Sequence, residues 1–325
     1  MLPAHRGIVV LILSLVMAAF LQADGLRKEA TIQAAGVQRN VALAVTRPLD
    51  AVSRALHLTT PRHDLQVAIG RGGEDDIDTR VAFAPPPPKE PPKPRVAEGS
   101  GPPPKPLFTA SHPLRVWVGG DSLAEVPGQA LQRLGGAIDV VGVESRLSTG
   151  LARPDLYNWF ARIEQVPRLF HPDVVVLSFG ADDAHDYLAG LPAGVEVGQL
   201  GSPSWDAEYE RRVNGITAEL NAKGIYVVWL GLPDTDHHGL RASFPIVNRI
   251  IRQVVAKHRA LATFVNTWTL LGDAHGRYAS YLRVHGTLTQ VRLADGTHYA
   301  PAGGDLIARQ VVAQLRAVYR LRGAS

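Results

Sequence analysis

Three side chains in this sequence can together perform acyl transfer, although each is ordinary alone. Ser122 sits in Gly119-Gly120-Asp121-Ser122-Leu123, directly after the apolar run 114–118. A serine at a strand-to-helix turn exposes its hydroxyl. Its own N–H lies near a helix start, where developing negative charge is favoured. The hydroxyl is a weak nucleophile without a base, and His298 can be that base. Asp295 precedes it by three residues in Asp295-Gly296-Thr297-His298. In a turn, this spacing brings a carboxylate to the imidazole, fixing its tautomer and stabilising the imidazolium. Singly, Gly-Asp-Ser also reads as a helix cap and Asp-Gly as a plain turn pair. Their placement together argues for chemistry.

Other polar residues fall at equivalent places. Ser148-Thr149-Gly150 follows the second apolar run, with Arg153 just beyond, and Gly180-Ala181-Asp182-Asp183 follows the third. Asp121, Arg153 and Asp183 are the expected substrate contacts. Arg153 suits an anionic group or is a plain surface arginine, and Asp183, with His185 and Asp186, either lines a groove or faces water. Asp234, Asp236, His237 and His238 are close in sequence but make no closed ligand set, so no metal is expected. Trp159, Trp205 and Trp229 can stack on sugar rings, though packing is the commoner role. No glycine-rich phosphate loop of the required spacing occurs, and no cofactor is expected. The absence of cysteine excludes disulfides, thiolate metal sites and a cysteine nucleophile. A net charge of +4, dispersed along the chain, gives no nucleic-acid footprint.

The elements that must position these residues begin near Pro113. Short β-branched runs at 114–120, 139–145, 173–180, 225–232 and 263–270 alternate with helical patterns at 122–135, 154–170, 206–224, 243–260 and 301–321. The first of these helices is either continuous or broken at Pro127. Five such units with continuously apolar strands predict an α/β/α sandwich of flavodoxin-like type, with about five parallel strands. In such a sheet the loops after the strands converge on one edge. An insertion at 281–293 reads as a hairpin turning at His285-Gly286.

The remainder is different in kind. Residues 1–24 contain an uncharged apolar run from Gly7 to Ala23, short for a span. Its length favours a retained membrane anchor over a cleaved signal. Residues 25–82 carry helical apolar spacing interrupted at Pro48, read as one or two amphipathic helices near a membrane surface. Residues 83–112 are dominated by proline and read as an extended spacer or a docking motif for a proline-binding domain. Residues 113–325 form the α/β domain.

The ordered blocks GGDSL, STG, GADD and DGTH resemble those of the SGNH/GDSL hydrolase superfamily, over about 113–318. In detail, VGGDSLAEVPG, LSTGLARPD and DGTHYAPAGGDLIA are similar to membrane-anchored bacterial envelope proteins of that superfamily. The resemblance implies Ser122 as nucleophile, His298 as base, and an oxyanion hole from the N–H groups of Ser122 and Gly150 plus a side-chain amide in the third block. That amide position is held here by Asp182. Three accounts follow: a protonated Asp182 that donates, a substitute donor, or a slow or inactive site used for binding. The first reading is a serine esterase or acyltransferase acting on an ester-bearing small molecule or an O-acetylated envelope glycan. The alternative is an SGNH-like module that binds glycan or scaffolds envelope proteins.

Overall fold

The computed structural model describes residues 4–32, 37–68, 78–83, 105–184, 187–191, 195 and 197–322. The chain divides into two units, Met1–Thr79 and Arg80–Ser325.

The first unit is helical. Most of the uncharged N-terminal run lies in α1 (Ala4–Leu21), followed by α2 (Ala23–Ile32), α3 (Val37–Ala55) and α4 (Thr60–Ala68). Among the described residues, no single helix is long and apolar enough to cross a membrane. The pair His5–Leu21 and Ala23–Thr31, bent by 72°, is long and apolar enough only when the two are taken together. Pro48 does not interrupt α3, contrary to the sequence expectation. It lies on the unpacked side of the helix, away from Leu43, Asp50 and Ser53, so the local distortion a proline imposes displaces no packed neighbour. Leu43, Asp50 and Ser53 form the buried side of α3, which packs on α2. There Asp50 accepts from Arg27 (2.5 Å) and Arg54 (2.8 Å), and Arg54 also reaches Asp24 (2.7 Å).

The second unit contains β1 (Leu107–Phe108), β2 (Leu114–Gly120), a 3₁₀ turn (Ser122–Ala124), α5 (Glu125–Leu134), β3 (Ile138–Ser145), α6 (Trp159–Phe170), β4 (Val174–Ser178), α7 (Pro203–Ala222) and β5 (Tyr226–Leu230). It continues through α8 (His238–Lys257), β6 (Ala262–Val265), α9 (Thr267–Leu270), β7 (Tyr281–Val284), β8 (Thr287–Gln290), α10 (Pro301–Val318) and β9 (Arg320–Leu321). Pro127 falls in the first turn of α5, where its missing N–H removes no helical bond, so of the two readings the helix does not break there. The fifth run is strand only to Val265; Thr267 begins a short helix instead.

β3-β2-β4-β5-β6 form one parallel sheet. Every residue of β4 and β5 is buried, as their unbroken apolar sequences require. α5 and α10 pack together on one face, while α6, α7 and α8 follow one another on the other. The chain leaves β2 toward β3 and then returns past it to β4. That reversal opens a crevice at the carboxyl end of β2. Trp159, Trp205 and Trp229 are fully buried in the core, so none of them stacks on a ligand. β7 and β8 pair across His285-Gly286, both with positive φ (50° and 84°), the backbone a two-residue hairpin turn needs.

Most of the proline-rich stretch, 84–104, lies outside the described residues. Both of its described flanks belong to the α/β unit. Phe83 packs edge-on against Phe160 of α6 at 5.6 Å, lies over Gly215 of α7 and lies under the Arg211 guanidinium. The carbonyl of Arg80 accepts from Asn158. On the other side, β1 pairs in parallel with β9, and Phe108 meets Tyr319 edge-on at 5.4 Å. The expected spacer between a membrane segment and the domain is therefore corrected. The chain has already joined the domain before the proline run begins.

Candidate active site

Ser122 owes its position to the end of β2. Gly120 has φ +155°, and a β-carbon there would overlap the carbonyl oxygen of Ser178 in β4. Only glycine lets the two strand ends come this close. Asp121 then donates its N–H to Ser178 O (3.0 Å). The Asp121 carboxylate accepts from the N–H groups of Leu123 (2.9 Å) and Ala181 (3.0 Å), joining the loop after β2 to the loop after β4. Asp121 is fully buried. Burial, with the charges of Asp182 and Asp183, pushes its carboxyl well above the usual range despite the two N–H donors. Its expected substrate contact is corrected, because both oxygens are spent on loop geometry.

His298 comes from the turn before α10. Its Nε2 lies 2.8 Å from Ser122 Oγ, and its Nδ1 lies 2.8 Å from Asp295 Oδ2. The other Asp295 oxygen accepts from the N–H groups of Thr297 (2.8 Å) and His298 (2.9 Å). Burial acts to raise Asp295, but those N–H bonds and the imidazole outweigh it and leave the carboxyl below its ordinary value. Ser122 and, 176 residues further on, His298 with its near neighbour Asp295 thus form one hydrogen-bonded line.

Sequence reasoning missed what holds that turn. Arg292 is buried, and its guanidinium donates to the carbonyls of Asp234 (2.6 Å), Thr297 (2.5 Å) and Gly296 (3.2 Å). Thr235 Oγ1 donates to Gly296 O (2.8 Å). Asp234 accepts from Arg241 (2.9 Å) and the N–H groups of Thr235 and Tyr278 (both 2.8 Å), so it serves as a structural carboxylate. No local pattern marks Arg292, since its acceptors are backbone atoms brought in by folding.

Gly150 is held just as firmly. Asp183, expected at the substrate, is fully buried. It accepts from Leu151 N–H (3.0 Å), Ala152 N–H (2.7 Å) and Tyr209 Oη (2.6 Å). Arg212 of α7 donates to the carbonyls of Leu151 (2.7 Å) and Ala189 (2.7 Å). A carboxylate and a guanidinium thus hold Leu151 from both sides of its backbone. A β-carbon at Gly150 would overlap Asp183 Oδ1, which explains the glycine. Ser148, at φ +57°, carries strain of the kind found where a loop is forced to present a group. Among the described residues, the N–H groups of Ser122 and Gly150 have no intramolecular acceptor. Arg153 is likewise corrected. It is buried, paired in bidentate fashion with Asp155 (2.9 and 2.8 Å), and stacked on Tyr187.

Asp182 remains half-buried beside this site. Burial, then the charge of Asp183, pushes its carboxyl up to about 6, while the charge on His298 pulls the other way. The arrangement provides a hydroxyl, an oriented imidazole, two available backbone donors and one carboxyl whose proton is labile near neutrality.

The family described as "Protein of unknown function (DUF459)" matches residues 115–314. The chain belongs to that family. No curated protein matches the sequence. Among solved structures, this DUF459 member is similar to a lipase/acylhydrolase from Enterococcus faecalis, with 14% identity and a TM-score of 0.45, over 64% of this chain and 98% of that one. It is similar to a GDSL-like lipase from Bacteroides thetaiotaomicron, with 14% identity and a TM-score of 0.43, over 63% and 88%. It is also similar to the psychrotrophic esterase EstA from a Pseudoalteromonas species, with 12% identity and a TM-score of 0.39, over 63% and 97%.

Proposed function

We propose that this site cleaves or transfers an ester-bound acyl group through a serine ester. The observation that carries the reading is the line Ser122 Oγ–His298 Nε2–His298 Nδ1–Asp295, with 2.8 Å at each link. His298 takes the Ser122 proton as Oγ attacks the ester carbonyl, and Asp295 stabilises the imidazolium. The oxyanion is met by the N–H groups of Ser122 and Gly150. The departing alkoxide receives the proton from His298. Water or a sugar hydroxyl then attacks the serine ester, with His298 again the base, releasing the acid or passing on the acyl group.

The proposed substrate class is an acetyl ester on a cell-envelope glycan or a comparable small ester. It rests on the superfamily resemblance and on the apolar α1, which we read as holding the chain at a membrane with the α/β unit outside the cytoplasm. Asp182 favours one second reading, a binding module, because an ionised carboxylate opposes an oxyanion. The test is labelling by a fluorophosphonate probe together with p-nitrophenyl acetate turnover. The natural chain should label and turn over, and Ser122→Ala should lose labelling and about 10³-fold or more in rate. Equal rates in both proteins would leave the binding module.

A further inference from the structure

We infer that α3 is a second membrane-contacting element, which lies against lipid through a face of valine and alanine. This rests on the reading that α1 sits at a bilayer. The evidence is the pattern of burial around one helix. Leu43, Asp50 and Ser53 are turned into the unit. On the opposite side Val37, Val41, Val45, Val52 and Leu56 are 46–80% exposed. At 3.6 residues per turn these five, with exposed Ala44, Pro48, Ala51 and Ala55, fall within an arc of about 140°. No charged side chain lies in that arc, and Gln38 stands at its border. A water-facing helix has the opposite distribution, with its polar side outward and its apolar side packed.

The occupant follows from the surroundings. α3 packs on α2 and on α1, and α1 exposes Ile8, Val9, Val10, Leu11, Ile12 and Leu13 around its whole circumference. The two apolar surfaces therefore belong to one unit. The charged groups of α3 lie outside that arc, and there buried Asp50 pairs with Arg27 of α2 and with Arg54, which also reaches Asp24. The segment from Asp24 to Ala68 carries six basic and four acidic side chains, a balance suited to anionic headgroups. A helix partner from a second copy would call for a narrower seam with charges flanking it. The width and the lack of flanking acid–base pairs suit a fluid apolar layer instead.

The absence of cysteine in the chain makes the test clean. Val45→Cys, Val52→Cys and, as a reference in α1, Leu13→Cys are each labelled with an environment-sensitive fluorophore in the full-length protein. Each is then mixed with vesicles of phosphatidylcholine and phosphatidylglycerol. Labels at 45 and 52 should shift to shorter wavelength, lose most of their emission to doxyl-labelled lipid and be protected from aqueous iodide. Accessibility to iodide at both positions would overturn the inference. Protection from iodide without quenching by doxyl lipid would also overturn it, because the face would then be covered by protein. If the label at 13 is not quenched by lipid, the anchoring reading fails. If it is quenched while 45 and 52 are not, only the role of α3 fails.

Discussion

At Asp182 the proposed chemistry turns on one proton. Below about 6 the carboxyl is neutral and can donate to an oxyanion; above it the carboxylate repels one. The folded value lies above the ordinary 3.8, so the proton is lost as pH rises through about 6, and the donor is lost with it. His298 must be unprotonated to act as base, so base and acid make opposite demands. Asp182→Asn supplies a donor at every pH. Its rate relative to the natural chain should therefore climb as pH rises past about 6, toward the 10²–10³-fold worth of one oxyanion donor. A ratio that stays flat from acid to alkaline pH, measured with p-nitrophenyl acetate, would remove Asp182 from the mechanism. Side-chain types at Ser122, Asp295 and His298 were legible because their chemistry is local to short motifs. Asp121, Arg153 and Asp183 were misread because a polar residue beside an active edge looks the same in sequence whether it faces substrate or grips backbone.

Among the elements, strands and helices followed their apolar periods closely. The differences arose at prolines and at strand ends. Pro48 sits inside α3 on its unpacked side, and Pro127 falls in the first turn of α5, which runs on past it unbroken. No periodicity could reveal that α7 sends Arg212 to the loop after Gly150 and Tyr209 to Asp183, since those hydrogen bonds join residues 60–61 and 26 positions apart. The grip on that loop makes its own prediction. Asp183→Asn keeps the shape but leaves a peptide N–H of Leu151 or Ala152 poorly met, at a cost of about 1–3 kcal/mol. Gly150 N–H then loses its aim. We expect kcat to fall about 10–100-fold with KM little changed, because the donor matters mainly when the oxyanion forms. A rise in KM at constant kcat would place Asp183 in ground-state binding instead.

For the molecule as a whole, the α/β unit extends further back than the superfamily resemblance, which begins near Pro113. A fragment of 113–325 would lose β1 from beside β9, uncover Tyr319 and remove Phe83 from Phe160. A fragment of 78–325 keeps all of these. The packing of Phe83 alone is worth about 1.5 kcal/mol. The shorter fragment should therefore melt at lower temperature and bind more of an apolar dye than the longer one. Equal melting of the two would show that residues 78–112 add nothing to the fold.

The docking of Phe83 also changes what the proline run means for evolution and engineering. A polypeptide that leaves the α/β unit after Phe83 and returns to it at Leu107 makes an excursion that begins and ends on the same body. Lengthening or trimming the excursion does not alter the path from the helical unit to the α/β unit, which runs through 69–79 alone. A proline gained or lost between Phe83 and Leu107 leaves the joining sequence between the two units at its full length.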